Sequence, residues 1–273
     1  MELIQNNHIK LSTQGAHLYH WKPIHCSKNV LFCSKKVVFE SGKAIRGGIP
    51  ICWPWFGPKQ GNPQHGFART LDWHVINYVT DEKACNITLQ LQSNTQTWAW
   101  WPYEFNLLLN ISASDHLELT LTTHNLDNQA FEFSSALHTY FEVGDISRTN
   151  IYGLDDIDFV DKVDEGKLKN KSGDIKIEGE VDRVYLSAKM VSLHDVANNR
   201  NLQISSEGSN SIVVWNPWKE KAAQILDMDD DEYKKFVCIE NACTHPVMTL
   251  MPGGRHILRA KIEVLNLIKS LDD

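Results

Sequence analysis

Short stretches in which apolar and polar residues alternate one by one recur along this chain, and they constrain its fold more than any other feature. Ile87, Leu89 and Leu91 alternate with Thr88 and Gln90, and Leu117, Leu119 and Leu121 alternate with Glu118 and Thr120. A period of two places one apolar face on an extended strand, the pattern of a half-buried antiparallel sheet. Met190 to Leu193 and Leu202 to Ile204 flank Asn198-Asn199-Arg200-Asn201, whose asparagines tolerate the left-handed backbone of a hairpin turn. Ser211 to Val214 and Ile257 to Val264 read as further strands. Helix signals are sparse. The best candidate runs from Lys219 to about Phe236, with Ala222, Ile225 and Leu226 near a helical spacing; its Asp229-Asp230-Asp231 run reads equally as a solvated loop or a helix start. Polar Asp161 to Glu180 reads as a loop between strands. No glycine-rich dinucleotide motif, Walker loop or strand–helix alternation is present, which disfavours a nucleotide-binding α/β domain. The expected fold is all-β, with residues 1–273 forming one large antiparallel β-sandwich, a curved face and few short helices.

Composition bounds the class. A chain of 273 residues with 42% apolar side chains can bury a sizeable core. It carries 27 basic and 34 acidic side chains, a formal charge of −7. That field disfavours nucleic acid and anionic membrane surfaces as partners. It leaves room for one small phosphorylated ligand, because a single phosphate needs only a local fork of guanidinium groups. The start, Met1 to Lys10, lacks a basic region followed by an apolar one, and no stretch approaches the ~18 apolar residues of a membrane helix. Six cysteines occur without a C-x-x-C pair, which gives little support to a zinc ribbon or redox dithiol. A cytoplasmic chain with free thiols is expected, and no long apolar stripe is left over to suggest more than a monomer.

Six segments carry potential chemistry. Arg46-Gly47-Gly48-Ile49-Pro50 runs into Ile51-Cys52-Trp53-Pro54-Trp55-Phe56-Gly57-Pro58, where Gly and Pro set turns. Its aromatic residues either wall a pocket or pack the loop itself. In Gln64-His65-Gly66-Phe67-Ala68-Arg69, a strand would place His65, Phe67 and Arg69 on one face. In Ser134-Ser135-Ala136-Leu137-His138-Thr139-Tyr140-Phe141, His138 lies among apolar and hydroxyl neighbours. It is either a hydrogen-bonded core residue or a proton donor. Glu240, in Phe236-Val237-Cys238-Ile239-Glu240-Asn241-Ala242, either turns to solvent or is a buried carboxylate that needs a partner or a task. Asp182 and Arg183 in Glu180-Val181-Asp182-Arg183-Val184-Tyr185 could pair at the surface. Val213-Val214-Trp215-Asn216-Pro217-Trp218 is a strand entering an aromatic turn.

Taken in order, RGGIP with CWPWFG, QHGFAR, LHTYF, EVDRVY, VVWNPW and CIENA resemble the aldose 1-epimerase (mutarotase) superfamily, and within it the glucose-6-phosphate 1-epimerase branch. The segments span Arg46 to Ala242. The resemblance implies a β-sandwich of the galactose mutarotase-like type with a sugar cleft, no metal and no organic cofactor. By motif position it makes His138 the general acid and Glu240 the general base. Arg46 and Arg69 match positions that hold the sugar phosphate, and Gln64, His65 and Asp182 match positions that bind sugar oxygens. The implied reaction interconverts the α and β anomers of a hexose 6-phosphate, glucose 6-phosphate in the first instance. It needs a base at the O1 hydroxyl and an acid at ring O5, here as carboxylate and imidazolium, so a bell-shaped pH–rate profile is expected. Two other readings fit the same strands and aromatics. One is a non-catalytic carbohydrate-binding β-sandwich, which gives no reason for both His138 and Glu240. The other is a metal-dependent β-fold isomerase using His65, His138 and Glu240, although close His-x-His spacing is missing.

Overall fold

The structure, a computed structural model, describes residues 1–266. Its regular elements are almost wholly antiparallel strands. One sheet of nine has the order Ile175–Lys176, Thr149–Tyr152, Val191–Asp195, Arg200–Glu207, Arg255–Asn266, His116–Asn125, Phe105–Ala113, Cys85–Gln92 and His74–Thr80. A second, of eight strands, runs Lys167–Lys169, Phe159–Asp161, Val181–Tyr185, Ser211–Asn216, Phe236–Leu250, Phe131–Leu137 and Ile51–Cys52, with Tyr140–Glu142 also paired to Phe236–Leu250. Leu3–Gln5, Ile9–Ser12 and His17–Trp21 form a small third sheet.

The alternation in the sequence explains how the two large sheets meet. Register aligns Leu89 with Leu109, Leu109 with Leu121, and Leu121 with Leu258, so one apolar row crosses four strands. Ile87, Ile111, Leu119 and Ala260 form the next row. Both rows are buried, in the same core cluster as Ile212, Val214, Val237 and Ile239 of the eight-stranded sheet. Alternation in that second sheet then turns the intervening residues the other way. Val213 and Ala242 belong to a separate small cluster with Cys52, Ala136 and Val184. Glu240 lies opposite Val213 in the ladder, on this second face. The eight-stranded sheet therefore has a core face and a face available for a site.

The Gly- and Pro-rich segment after Arg46 follows an irregular path on either side of the edge strand Ile51–Cys52. A Cβ on Gly48 would stand 2.4 Å from the Leu18 carbonyl oxygen, so the backbone passes the small sheet where no side chain fits. Gly66, at φ +75°, is tighter: a Cβ there would lie 1.9 Å from the Trp53 carbonyl oxygen. That oxygen accepts from the backbone N–H groups of both Phe67 and Ala68, at 3.1 and 3.2 Å. The Trp53 ring is buried against Phe105, Trp101 and Phe67, with centroids 4.5, 4.9 and 5.6 Å away. Trp53 and Trp55 thus pack the core, and only Phe56 of the three aromatic residues reaches the cavity described below.

Several expectations need correction. Gln64 to Arg69 is a turn followed by a short 3-10 helix, Ala68–Thr70, because His65 and Gly66 both adopt positive φ. Phe67 is consequently buried in the core, while His65 and Arg69 line the cavity. The helix expected over Lys219 to Phe236 is two separate pieces, Trp218–Ala222 and the 3-10 turn Glu232–Lys235. The segment between them puts Ile225 and Asp227 on the cavity and leaves Leu226 94% exposed, so no continuous apolar stripe sustains a helix. Asp161 to Glu180 contains the short strands Lys167–Lys169 and Ile175–Lys176 as well as loop. Arg183 does not pair with Asp182; it lies over the Phe159 ring at 4.8 Å. The hairpin forms where the asparagines indicated, with Asn199 at φ +51°.

Because Trp53 joins the site-bearing loop to the core, Trp53→Ala is expected to lower unfolding free energy by about 3–5 kcal/mol in urea titration. A loss below about 1 kcal/mol would mean that the loop is not anchored by this ring.

Candidate active site

A cavity of about 260 Å³ opens on the second face of the eight-stranded sheet. Arg46, Gln64, His65, Arg69, His138, Asp182 and Glu240 all line it, so residues separated by nearly two hundred positions converge on one space. Each element delivers its side chain by register. Glu240 projects from the central strand Phe236–Leu250 and is 1% exposed. Asp182 comes from Val181–Tyr185, two strands away across Ser211–Asn216, opposite Trp215. His138 follows the strand Phe131–Leu137, and its backbone N–H donates to the Pro50 carbonyl oxygen at 3.0 Å.

His138 and Glu240 meet, with Nε2 and Oε1 3.3 Å apart. His138 is stacked on Tyr140, centroids 5.0 Å apart at 13° between planes, and lies edge-on to Trp215 and His65. The remaining polar atoms of the pair, His138 Nδ1 and Glu240 Oε2, are buried without hydrogen-bond partners. Buried polar atoms are normally satisfied, and unsatisfied ones concentrate where chemistry or a ligand is expected. Burial pushes the His138 imidazolium well below its ordinary range and the Glu240 carboxyl well above its own. This works against the imidazolium–carboxylate form assigned from sequence. Lys162 and Arg69 act the opposite way on Glu240 and favour its carboxylate.

The surrounding charges are largely cationic. Arg46 donates from Nε to Asp227 Oδ1 at 3.1 Å and from Nη1 to Tyr140 Oη at 3.0 Å. Arg69 donates from Nη2 to the Gln64 carbonyl oxygen at 2.7 Å, and its buried Nε has no partner. Gln64 therefore supports Arg69 through its backbone. Lys162 sits 3.9 Å from Asp182 and 4.5 Å from the centre of the Phe56 ring. His65 accepts at Nδ1 from the Gly57 N–H, 3.2 Å away, so its Nε2 carries the ring hydrogen. Burial, together with Arg69, Lys162 and Arg46, pushes its imidazolium down to about 3.

The sequence segments already contained Phe56, one of whose two readings was a pocket wall, and Tyr140 and Trp215, to which they gave no role. Lys162 and Asp227 lay outside the segments: Lys162 in a stretch read as loop, and Asp227 beside an acidic run whose composition matches any solvated surface. Among the described residues, no group of three or more His, Cys, Asp and Glu is arranged to hold a metal ion. All six cysteines are free thiols. Among the described residues, no helix is long and apolar enough to cross a membrane.

His65 should remain neutral down to about pH 3 in the folded protein, a value checked by following its ring carbon resonances through an acid titration. A midpoint near 6.5 would contradict its place in this cationic wall. Because the folded-state value lies below the unfolded one, the stabilisation it carries is complete above pH 6.5 and is lost as pH falls toward 3. The stability difference between the wild-type protein and His65→Gln should therefore shrink on acidification through that window.

Comparison with known proteins places the chain in a family. A family model described as aldose 1-epimerase matches residues 2–263. A Salmonella typhimurium protein named "Putative glucose-6-phosphate 1-epimerase" is 41% identical over 231 residues, covering 83% of this chain and 76% of that protein. The crystal structure of a "putative mutarotase (YeaD)" from the same organism superposes with a TM-score of 0.89 at 36% identity, covering 97% of this chain and 90% of the other. A galactose mutarotase-like protein from Lactobacillus casei shares the fold at 18% identity, with a TM-score of 0.74 and coverage of 97% and 100%. The fold is the all-β sandwich of the galactose mutarotase-like type, and the chain belongs to the aldose 1-epimerase family.

Proposed function

We propose that this protein is a glucose-6-phosphate 1-epimerase, interconverting the α and β anomers of a hexose 6-phosphate by acid–base ring opening and closure. The observation that carries the reading is the buried contact between His138 and Glu240 within a cavity that also holds Arg46 and Arg69. The two reacting oxygens, O1 and O5, are bonded to the same carbon. Groups that act on them must be neighbours, and a pair 3.3 Å apart meets that requirement.

In ring opening, Glu240 takes the O1 proton and the O1 electron pair forms the carbonyl. The C1–O5 bond breaks with its electrons passing to O5, which takes the proton from His138. Rotation about C1–C2 presents the other carbonyl face, and closure reverses the transfers. The pair thus starts with one proton on the imidazole and ends with one on the carboxyl. Opening begins from the charged form and closure from the neutral form, so a two-way catalyst needs both within reach. Burial favours the neutral form, while Lys162 and Arg69 favour the Glu240 carboxylate. This opposition supports a site tuned between the two.

Around the pair, His65 Nε2–H is assigned as a donor to a sugar oxygen, Asp182 as an acceptor from a sugar hydroxyl, and Gln64 as a further sugar contact that also supports Arg69. Arg46 and Arg69 are assigned to the phosphate. Supporting this, Arg69 Nε lacks a partner, and a planar guanidinium suits phosphate oxygens. The reading takes the chain as one domain, supported by a core cluster that runs from Ile9 to Val264 through all three sheets.

Exchange NMR between the anomers of glucose, mannose and galactose 6-phosphates, beside the free sugars, tests the assignment. The phosphorylated sugars should exchange with higher kcat/KM, and Arg69→Ala should cost about tenfold to a hundredfold on them alone, the range of a hydrogen bond to a charged group. Preference for free galactose, with Arg69→Ala neutral, would refute the phosphate assignment. The rate should form a plateau in pH where the pair holds one proton, falling in acid when a second is taken up and in alkali when the single proton leaves.

A further inference from the structure

We propose that Tyr140 is the positioning residue that aims Arg46 at the substrate phosphate while its ring holds the His138 imidazole in place. The inference rests on the mutarotase reading above and adds a specificity device to it. Two observations meet in one side chain. The Tyr140 ring stacks on His138 almost in parallel, with centroids 5.0 Å apart and planes 13° apart. Its hydroxyl accepts from Arg46 Nη1 at 3.0 Å. The ring itself is clamped by Phe236 and Trp215, with centroids 5.2 and 5.9 Å away, so neither contact is free to swing.

The guanidinium has five N–H groups in a fixed fork. One, on Nε, is taken by Asp227 at 3.1 Å and one, on Nη1, by Tyr140. Two anchors on different nitrogens fix the plane of the fork, and three N–H groups remain for a ligand. An arginine whose plane is set before binding loses less freedom when it grips a phosphate in two-point fashion. Burial pushes the Tyr140 phenol up against the opposing pull of Arg46, so it meets the cation as a neutral hydroxyl. Tyr140 is thereby the shared wall between the phosphate grip and the proton-transfer pair, and its hydroxyl and its ring serve different ends.

Tyr140→Phe separates them, since it removes the hydroxyl and keeps the stack. The expected result is a rise of about tenfold in the ratio of KM for the hexose 6-phosphate to KM for the free hexose, with the limbs of the pH profile kept in place by the retained stack. In an Arg46→Ala background the same substitution should add nothing, because the group it positions is gone. Tyr140→Leu, which loses the stack too, should lower kcat and move the acid limb of the pH profile. In the wild-type protein, the Tyr140 Cζ resonance should shift as inorganic phosphate is added, and the shift should vanish in Arg46→Ala. An unchanged KM ratio between phosphorylated and free sugar in Tyr140→Phe, an equal loss in the Arg46→Ala background, or a phosphate-insensitive Tyr140 resonance would overturn the proposal. Absence of anomer exchange in the wild-type protein would instead overturn the mutarotase reading.

Discussion

A carboxyl group buried in the middle of a long strand organises this structure. Glu240 lies within the fifteen residues of Phe236–Leu250 and is 1% exposed. Such a group is costly to bury without partners, and neutral or ionised it demands a local environment built for it. The eight-stranded sheet supplies that environment on one face only. Its other face is committed to the apolar core against the nine-stranded sheet, through Ile212, Val214 and Ile239. The same strand alternation that makes the core therefore leaves Glu240, Asp182 and the wall of the cavity on the opposite side. The loops that approach from above complete the site, and the glycines of the Arg46 and Gln64 segments let their backbones come close enough to do so.

Much of this was legible in the sequence because the controlling patterns are local. Alternation at Ile87–Leu91 and Leu117–Leu121 fixes strand faces within a few residues, and both stretches lie on the core face of the nine-stranded sheet, either side of Phe105–Ala113. Asn199 takes the left-handed turn its side chain favours. The seven residues singled out from the motifs line one cavity. What was not legible depends on long-range packing. Trp53 and Phe56 are three residues apart in one aromatic loop, yet one is in the core and the other on the cavity. Nothing local separates them. Ala222, Ile225 and Leu226 fit a helical spacing, but Ile225 is drawn to the cavity and the helix ends at Ala222. Asp227 belongs to a composition typical of solvated loops; its pairing with Arg46, 181 residues away, has no trace in its neighbours.

The net charge of −7 describes the whole surface and not this cavity. Arg46, Arg69, Lys162 and Lys221 line it against Asp182, Asp227 and Glu240, and burial favours the protonated form of Glu240. The local balance is positive within a negative protein. Such a reversal discriminates against polyanions, which meet the outer field first, and still accommodates one phosphate. It also bears on the chemistry, because Lys162 and Arg69 stand close enough to Glu240 to favour its ionised form.

The role proposed for Glu240 is to move a proton and not merely to hold sugar. Glu240→Gln preserves size and hydrogen bonding while removing the base. Saturation-transfer NMR on glucose 6-phosphate with this variant measures binding and anomer exchange in one sample. Retained binding is expected, with exchange reduced by about 10²-fold or more, the scale of a positioned acid–base group. Exchange at the wild-type rate would contradict that role.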